Sequence, residues 1–447
     1  MSAGGVWTNQ NKIRPGVYIR YKSKKSTGLT VGERGTVTIP KALSWGPEGQ
    51  LMTIEAGADM TAYTGYDLTH EKNRFLLELF KGTNRTAAPT KVLLYRLAAT
   101  GSAAAKAAIA PLTATAQYPG VRGNELTIVI SELTSPENSF SVSTVVDGSV
   151  ADQQTAATVE ELTDNAWVHF SGTGALAATA GTPLTGGADG TVDAAAYSKY
   201  LAAIEPYKFD VLIYDGDNSI VKIAMQTFIK RVCENTGMYA QLVEANATNP
   251  DSRYVINVCS GAVMDDGVVF TPEQVTWWVG GAQAGAKYNE NLTNAAYPGA
   301  VDITPALTQS QYEAALTEGK FVLNAENGTV RVEKDINSLV SYTPDIGDEY
   351  VSNRVMRLCN TIANDLKTQF SANFIGVTDN EEDGRGQFKS ATVKYLQDIQ
   401  SNKGIQNFDP ENGVSVLPGD AIDAITVDLD IKVVESVNRI YMTVNVA

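Results

Sequence analysis

Two histidines and three cysteines are all that 447 residues contain, and this scarcity removes much chemistry at the outset. His70 and His169 lie far apart, and neither falls in the α/β stretch where an exposed nucleophile would be expected. A Ser-His-Asp or Cys-His arrangement therefore has no histidine to use. Cys233, Cys259 and Cys359 show no metal-type spacing, and an odd count of separated thiols reads as three reduced, buried or half-buried side chains. There is no G-x-x-x-x-G-K-[ST]. The nearest approach, Gly280 to Lys287, misplaces the lysine and lacks the hydroxyl, so its small residues read as a close helix packing. Asp379, Glu381, Asp383 and Gly384 have some spacing of a calcium loop, but a glutamate stands third and Ser390 stands where a bidentate glutamate is required. An exposed acidic loop is expected there. No apolar run of about 18 residues is present, and the first residues carry no apolar core of a secretory signal. These readings predict no catalytic residue, no cofactor, no metal, no membrane span and a chain made in a cytoplasm.

Apolar residues make up 43% of the chain, enough for several domains with real cores. The net charge is −15 and unevenly placed: between Met1 and Lys41 eight basic residues face the single acid Glu33, a net +7 against −22 for the rest. A basic arm and an acidic body attract. Nucleic acid is a second possible partner of such an arm, through Lys22, Lys24 and Lys25. Self-recognition ranks above it, because the arm has a strand pattern beneath its charges: Pro15, Val17, Ile19 and Tyr21 alternate with other residues.

The C-terminus shows the same period. Ile425, Val427, Leu429, Ile431 and Val433 alternate with Thr426, Asp428, Asp430 and Lys432, and a second run places Ile440, Met442, Val444 and Val446 on one face. A period of two predicts half-buried strands. The second run reaches the last residue given, where a neighbour could complete its ladder. An extended arm of 29 residues spans up to roughly 90 Å, whereas the body has a radius of gyration near ~21 Å. The arm can therefore reach another subunit.

Between the arms, residues 30–97 read as a small α/β unit, with a strand or hairpin over Leu29–Ile39, a helix over Asn73–Phe80 and a strand over Lys91–Leu97. Residues 98–188 are rich in Ala, Thr, Gly and Ser, with short strands at Leu126–Ile130, Phe140–Val146 and Trp167–Phe170. They predict an all-β module inserted in the chain. Residues 189–335 alternate helix and strand, which argues for a parallel sheet flanked by helices. Residues 336–447 open with an apolar stripe of helical period from Tyr350 to Phe374, continue with a helix over Phe388–Ile399 and end in the terminal strands, an α+β pattern. Asp215-Gly216-Asp217-Asn218 stands at a strand end where α/β folds often bind ligands. A turn at Gly216 and a helix cap at Asn218 is the preferred reading.

Taken together in order, Arg14-Pro15-Gly16-Val17-Tyr18-Ile19, Gly120-Val121-Arg122-Gly123-Asn124, Leu184-Thr185-Gly186-Gly187-Ala188-Asp189-Gly190, Trp278-Val279-Gly280-Gly281, Asp335-Ile336-Asn337-Ser338-Leu339 and Ile440-Tyr441-Met442-Thr443-Val444 give a pattern over nearly the whole chain. It resembles the contractile tail sheath proteins of myophages and of phage-tail-like bacteriocins, most of all those of Gram-positive prophages.

The resemblance implies a multidomain α/β and α+β fold: an extended arm (1–29), the small α/β unit (30–97), a β-sandwich (98–188), a non-catalytic domain of subtilisin-like topology (189–335) and an α+β C-terminal core with a strand arm (336–447). It implies a homo-oligomer of hexameric rings stacked helically on a tail tube, with baseplate and tail terminator proteins as further partners, and a place in a virion or phage-tail-like particle assembled in the host cytoplasm. No direct nucleic acid or membrane contact is implied. The arms would pair with neighbours by β-augmentation through Val17, Ile19, Tyr21, Ile425, Val427, Leu429, Ile431, Ile440, Met442 and Val444. Asp379, Glu381, Lys389, Lys394 and Lys403 would be placed to touch the tube. Hinges are expected at Ser23–Gly28 and Pro418–Asp420. Two other classes compete: a cytoplasmic α/β enzyme with a site near Asp215, and a static self-assembling surface protein, which would need export.

Overall fold

The structure, a computed structural model, describes residues 30–446 and the backbone of two short strands, Ala3–Gly5 and Gly16–Tyr18, paired in parallel with each other. The chain is a mixed α/β multidomain protein with several sheets.

Its centre is a seven-stranded sheet in the order Lys320–Phe321, Val255–Val258, Gln241–Ala245, Val211–Tyr214, Thr36–Lys41, Lys91–Arg96, Leu51–Glu55. Only the Leu51–Glu55 edge is antiparallel. Strands from 30–97 and from 189–335 thus lie side by side, and the small α/β unit read from the sequence has no sheet of its own. Val211 pairs with Val37 and Thr36 with Lys91. The reason is burial: Val37, Ile39, Val92, Leu94, Val211 and Ile213 are buried on one face and Leu93, Tyr95, Leu212 and Tyr214 on the other, and a strand apolar on both faces must be covered on both.

The two faces carry different helices. Ala194–Ile204 and Ser219–Arg231 pack on one side with Tyr200, Met225 and Ile229. Asp193 caps the first through Ala196 N–H at 3.0 Å, and Asn218 caps the second through Ile220 N–H at 2.9 Å. On the other side Pro272–Gly285 runs buried beneath the sheet, opened by a capping box of Thr271 and Gln274 with Pro272 in its first turn. Its glycines are needed because the backbone is pressed against neighbours. A Cβ on Gly281 would stand 2.0 Å from the Leu79 carbonyl oxygen, and one on Gly280 2.4 Å from Ile213.

The chain leaves this sheet after Arg96 and returns at Val211, and in between lies the β-sandwich. A four-stranded antiparallel sheet (Ser149–Ala156, Phe140–Val146, Leu126–Glu132, Thr179–Pro183) faces a three-stranded one (Val168–Ser171, Leu112–Ala116, Lys106–Ile109). Leu126, Ile128, Ile130, Leu112 and Phe170 fill the space between them, and so does Trp45, which comes from outside the module. Arg122 fastens the junction. Its guanidinium lies 4.2 Å from the Tyr66 ring centroid and donates to both carboxylate oxygens of Asp147 at 2.7 Å. The sandwich is therefore a docked protrusion.

The last domain packs helix Asn353–Asn373 against helix Glu382–Ser401 around Leu358, Ile362, Tyr395, Leu396 and Ile399. Two short ladders complete it: Ile425–Leu429 antiparallel to Val414–Pro418, and Lys432–Val433 antiparallel to Ile405–Gln406. Several expectations need correction. Of the stretch Leu29–Ile39, the described residues 30–39 form no hairpin; the strand begins at Thr36. A hairpin across Asn327-Gly328 pairs Leu323–Glu326 with Thr329–Val332, while Lys320–Phe321 lies in the central sheet. Ile440, Met442 and Val444 lie in no strand and are 74–79% exposed, because a single chain offers that run no ladder partner.

Alanine at Gly281 is expected to cost about 3 kcal/mol by overpacking. Alanine at Gly386, exposed within a helix and with open space around its Cβ position, should stabilise by up to about 1 kcal/mol. Urea unfolding of the two variants checks the contrast.

Candidate inter-subunit surface at the terminal arms

The strand end at Asp215 is filled rather than open. Asp215 Oδ2 accepts from Lys41 Nζ and from Trp277 Nε1, each at 2.6 Å, and the Lys41 ammonium sits about 5 Å from the Phe75 and Trp277 ring centroids. A carboxylate committed to an ion pair and an indole is a structural anchor. One strand away, Glu244 is solvent-free, takes a hydrogen bond from Gln226 at 2.6 Å and leaves its other oxygen without a partner. Burial pushes its carboxyl up to about 7 against the opposing pull of Gln226 and Lys222. His70 stacks on Tyr66 at a helical N-terminus, and His169 pairs with Asp164 on the sandwich surface.

The arms, by contrast, share one support, helix Asn353–Asn373. At its start, Glu435 of the C-terminal arm accepts from Asn291 Nδ2 at 2.9 Å and from the Ser352 hydroxyl, and Arg354 Nη1 donates to the Ser436 hydroxyl at 2.7 Å. Near its end, Gly32 N–H donates to Asp365 at 2.8 Å, and the Gln369 side-chain amide pairs with both the N–H and the carbonyl of Thr30, as a strand neighbour would. A Cβ on Gly32 would fall 2.3 Å from the Asp365 carboxylate and would push that side chain out of its present position. Burial raises the Asp365 carboxyl, with Gly32 N–H and Tyr395 O–H opposing. Fifteen residues at 1.5 Å each put the two departure points about 22 Å apart along the helix.

That helix is tied to the central sheet by a buried ion pair. Asp335 and Arg357, both solvent-free, meet at 2.8 Å. Asp335 also accepts from Gln283 Nε2 at 2.7 Å, Asn353 Nδ2 at 2.9 Å and Leu292 N–H at 3.0 Å, while Arg357 also donates to the Gln283 side chain and to the Glu290 carbonyl. Burial alone would raise the Asp335 carboxyl, but Arg357 and these donors outweigh it and hold it below the usual range.

The expected contact residues are only partly brought together. Ile425, Val427 and Leu429 are half-buried with Thr426 and Asp428 exposed, as the period of two requires. Their strand has one partner, Val414–Pro418 of the same chain, and among the described residues nothing pairs with its other edge. Ile431 and Val433 line a groove of about 500 Å³ with Val355 and Cys359. Beyond Ser436, no hydrogen bond to another described residue is made, and Val437, Ile440, Tyr441, Met442, Val444 and Val446 are 74–92% exposed. Val17 lies in the short strand Gly16–Tyr18, whereas Ile19, Tyr21 and the hinge Ser23–Gly28 fall outside the described residues.

Pro418–Asp420 belongs to the turn of a hairpin closed by Gly419 N–H to the Ala424 carbonyl, so it is no arm hinge. The acidic loop is shorter than expected: helix Glu382–Ser401 begins inside it, and Glu382 and Asp383 fill its first turn, where the helix dipole favours acids. Asp379 and Glu381 stand at one end of that helix. Lys394 lies within it, Lys389 reaches the Glu411 carbonyl at 2.9 Å, and Lys403 lies past its other end. These five residues are spread over about 30 Å and form no single patch. The joints that sequence reasoning missed, Glu435, Ser352, Gln369 and Asp365, are polar residues without periodicity; only Asp335, in a motif already singled out, carried a signal.

Four family models cover the chain in order: "Tail sheath protein Gp18 domain III N-terminal region" over 34–97, "Phage tail sheath protein beta-sandwich domain" over 99–189, "Phage tail sheath protein central domain" over 190–338 and "Phage tail sheath C-terminal domain" over 346–447. The phage-like element PBSX protein XkdK of Bacillus subtilis is 33% identical over the full length of both chains. The crystal structure of a sheath tail protein from Desulfitobacterium hafniense is 39% identical and superposes with a TM-score of 0.86, covering 94% of this chain and 97% of that one. The helical sheath of the anti-feeding prophage in its contracted state shares the fold at 11% identity, with a TM-score of 0.59 over 98% of this chain and 99% of that one.

Replacing Arg357 with methionine strands Asp335 in the interior and is expected to cost about 3–5 kcal/mol. Because the folded Asp335 carboxyl lies below its unfolded value, its stabilisation is present at neutral pH and fades as the pH falls through the folded value. Asp335→Asn should flatten that acid limb of the stability curve. Glu244 behaves oppositely: its contribution is present in acid and fades as the pH rises through about 7. Glu244→Gln should therefore be more stable than the native chain at pH 8, by about 2 kcal/mol, and no more stable at pH 4. Denaturant titrations across pH check both signs.

Proposed function

The chain belongs to the phage tail sheath protein family, and from that premise we propose that it is the repeating subunit of a contractile sheath, stacked in hexameric rings around a tail tube. It is a structural protein and not an enzyme. Its central domain is read as subtilisin-like in topology only, its place as the tail of a phage or phage-like particle, and its further partners as the tube, baseplate and terminator proteins.

One observation carries the reading. The described part of the C-terminal arm past Ser436 has apolar residues at every second position from Ile440 to Val446, all exposed, and the strand Ile425–Leu429 has an edge that pairs with nothing among the described residues. A strand without a ladder and a ladder without a strand are complementary, and identical copies supply both. Donating the arm head-to-tail gives an open helical polymer rather than a closed dimer. Five or so ladder bonds at about 1 kcal/mol each would hold neighbours together while the globular faces repack. The energy for shortening would be stored in assembly and released when subunits settle into better-packed contacts.

Tube contact is read as spread over separated positions rather than one patch: Asp379 and Glu381 before the last helix, Lys389 and Lys394 within it and Lys403 past its end.

Removal of residues 437–447 should leave the melting transition of the body in place, because residues 437–446 are exposed, and should abolish polymerisation. Electron microscopy checks it: hollow tubes from the native chain and separate particles from the truncated one are expected. Normal tubes from the truncated chain would remove the arm exchange.

A further inference from the structure

The point at which the C-terminal arm leaves the body is built from polar groups with no counterpart in the arm itself. Glu435 holds Asn291 with one oxygen and Ser352 with the other; its first oxygen also accepts from Ser436 N–H at 2.7 Å, and Arg354 grips the Ser436 hydroxyl. Just before it, Val434 N–H donates to the Gly404 carbonyl at 3.0 Å. Ser352 precedes helix Asn353–Asn373 without bonding its N-terminus through the side chain, which leaves its hydroxyl for Glu435.

The segments that hold Glu435 are the same segments that hold the buried ion pair. Leu292, next to Asn291, donates to Asp335, and Asn353, next to Ser352, contacts Asp335 through both its backbone N–H and its side chain. One residue of the arm thus bridges the central domain and the arm-carrying helix at the place where they are joined.

We propose that Glu435 is the positioning residue of the C-terminal arm. Its carboxylate confines the joint between arm and body to Val437–Asn438 and passes a pull on the arm into the Asp335–Arg357 junction instead of into the short Lys432–Val433 ladder. The first part of this inference concerns the single chain; the second rests on the sheath reading above.

Limited trypsin digestion of the full-length unassembled chain, followed by mass spectrometry, separates the two. Arg439 lies beyond the joint and Lys432 lies in the ladder before it. The native chain should be cut at Arg439 and resist at Lys432. Glu435→Ala and Ser352→Ala should raise cleavage at Lys432 relative to Arg439 about three- to tenfold, the effect of losing one or two hydrogen bonds, with an unchanged melting transition. Glu435→Gln keeps both side-chain contacts and should restore resistance. An unchanged Lys432 to Arg439 ratio in Glu435→Ala overturns the assignment, whether or not the chain forms sheaths. In assembled tubes, Glu435→Ala is expected to shed subunits on shortening, and tubes that shorten as intact as native ones overturn the force-transmitting part alone.

Discussion

The arrangement depends on a buried ion pair between two domains. Asp335 ends the central segment, Arg357 lies one turn into the helix that supports both arms, and neither is exposed to water. Charges so enclosed are costly to bury and still more costly to separate, because the remaining partner would stay uncompensated. The pair is further surrounded by Gln283, Asn353, Leu292 and Glu290. The pair therefore ties the arm-carrying helix to the body, and in the proposed sheath it is the path by which a force on the C-terminal arm would reach the central sheet. Arg122 ties the β-sandwich to the body through the Gly65 carbonyl and the Tyr66 ring.

A body tied together in this way, with an exposed run beyond Ser436, suits the proposed polymer that changes length without dissolving. Globular contacts can be exchanged between two states only if something else keeps the copies together, and main-chain ladders are indifferent to how the globular faces pack. The chemistry of the interior agrees with this division. The carboxylate at the sheet's strand end is neutralised by Lys41 and Trp277, and burial pushes the thiols of Cys233, Cys259 and Cys359 up to between about 11 and about 12, away from reactivity.

Much of this was legible in the sequence, for a definite reason. Helix Asn353–Asn373, the strands of the sandwich and the alternating strand Ile425–Leu429 each have a period that side-chain burial imposes locally. What was not legible is long-range. No local pattern says that Thr36–Lys41 lies between Val211–Tyr214 and Lys91–Arg96, because strands apolar on both faces look alike wherever they pair. Nor does a period of two say where the partner is: Ile425–Leu429 finds one in its own chain, and Ile440–Val446, with the same alternation, does not. The polar joints at Gly32, Asp365 and Glu435 carry no periodicity, and folding alone brings them together.

Hydrogen exchange of the backbone amides of residues 438–446 reports most directly on the donated strand. In the free chain these exposed amides should exchange at nearly the rate of an unstructured peptide, and in assembled tubes every second one should slow by at least about a hundredfold, as ladder amides do. Equal, rapid exchange in both states would contradict the account.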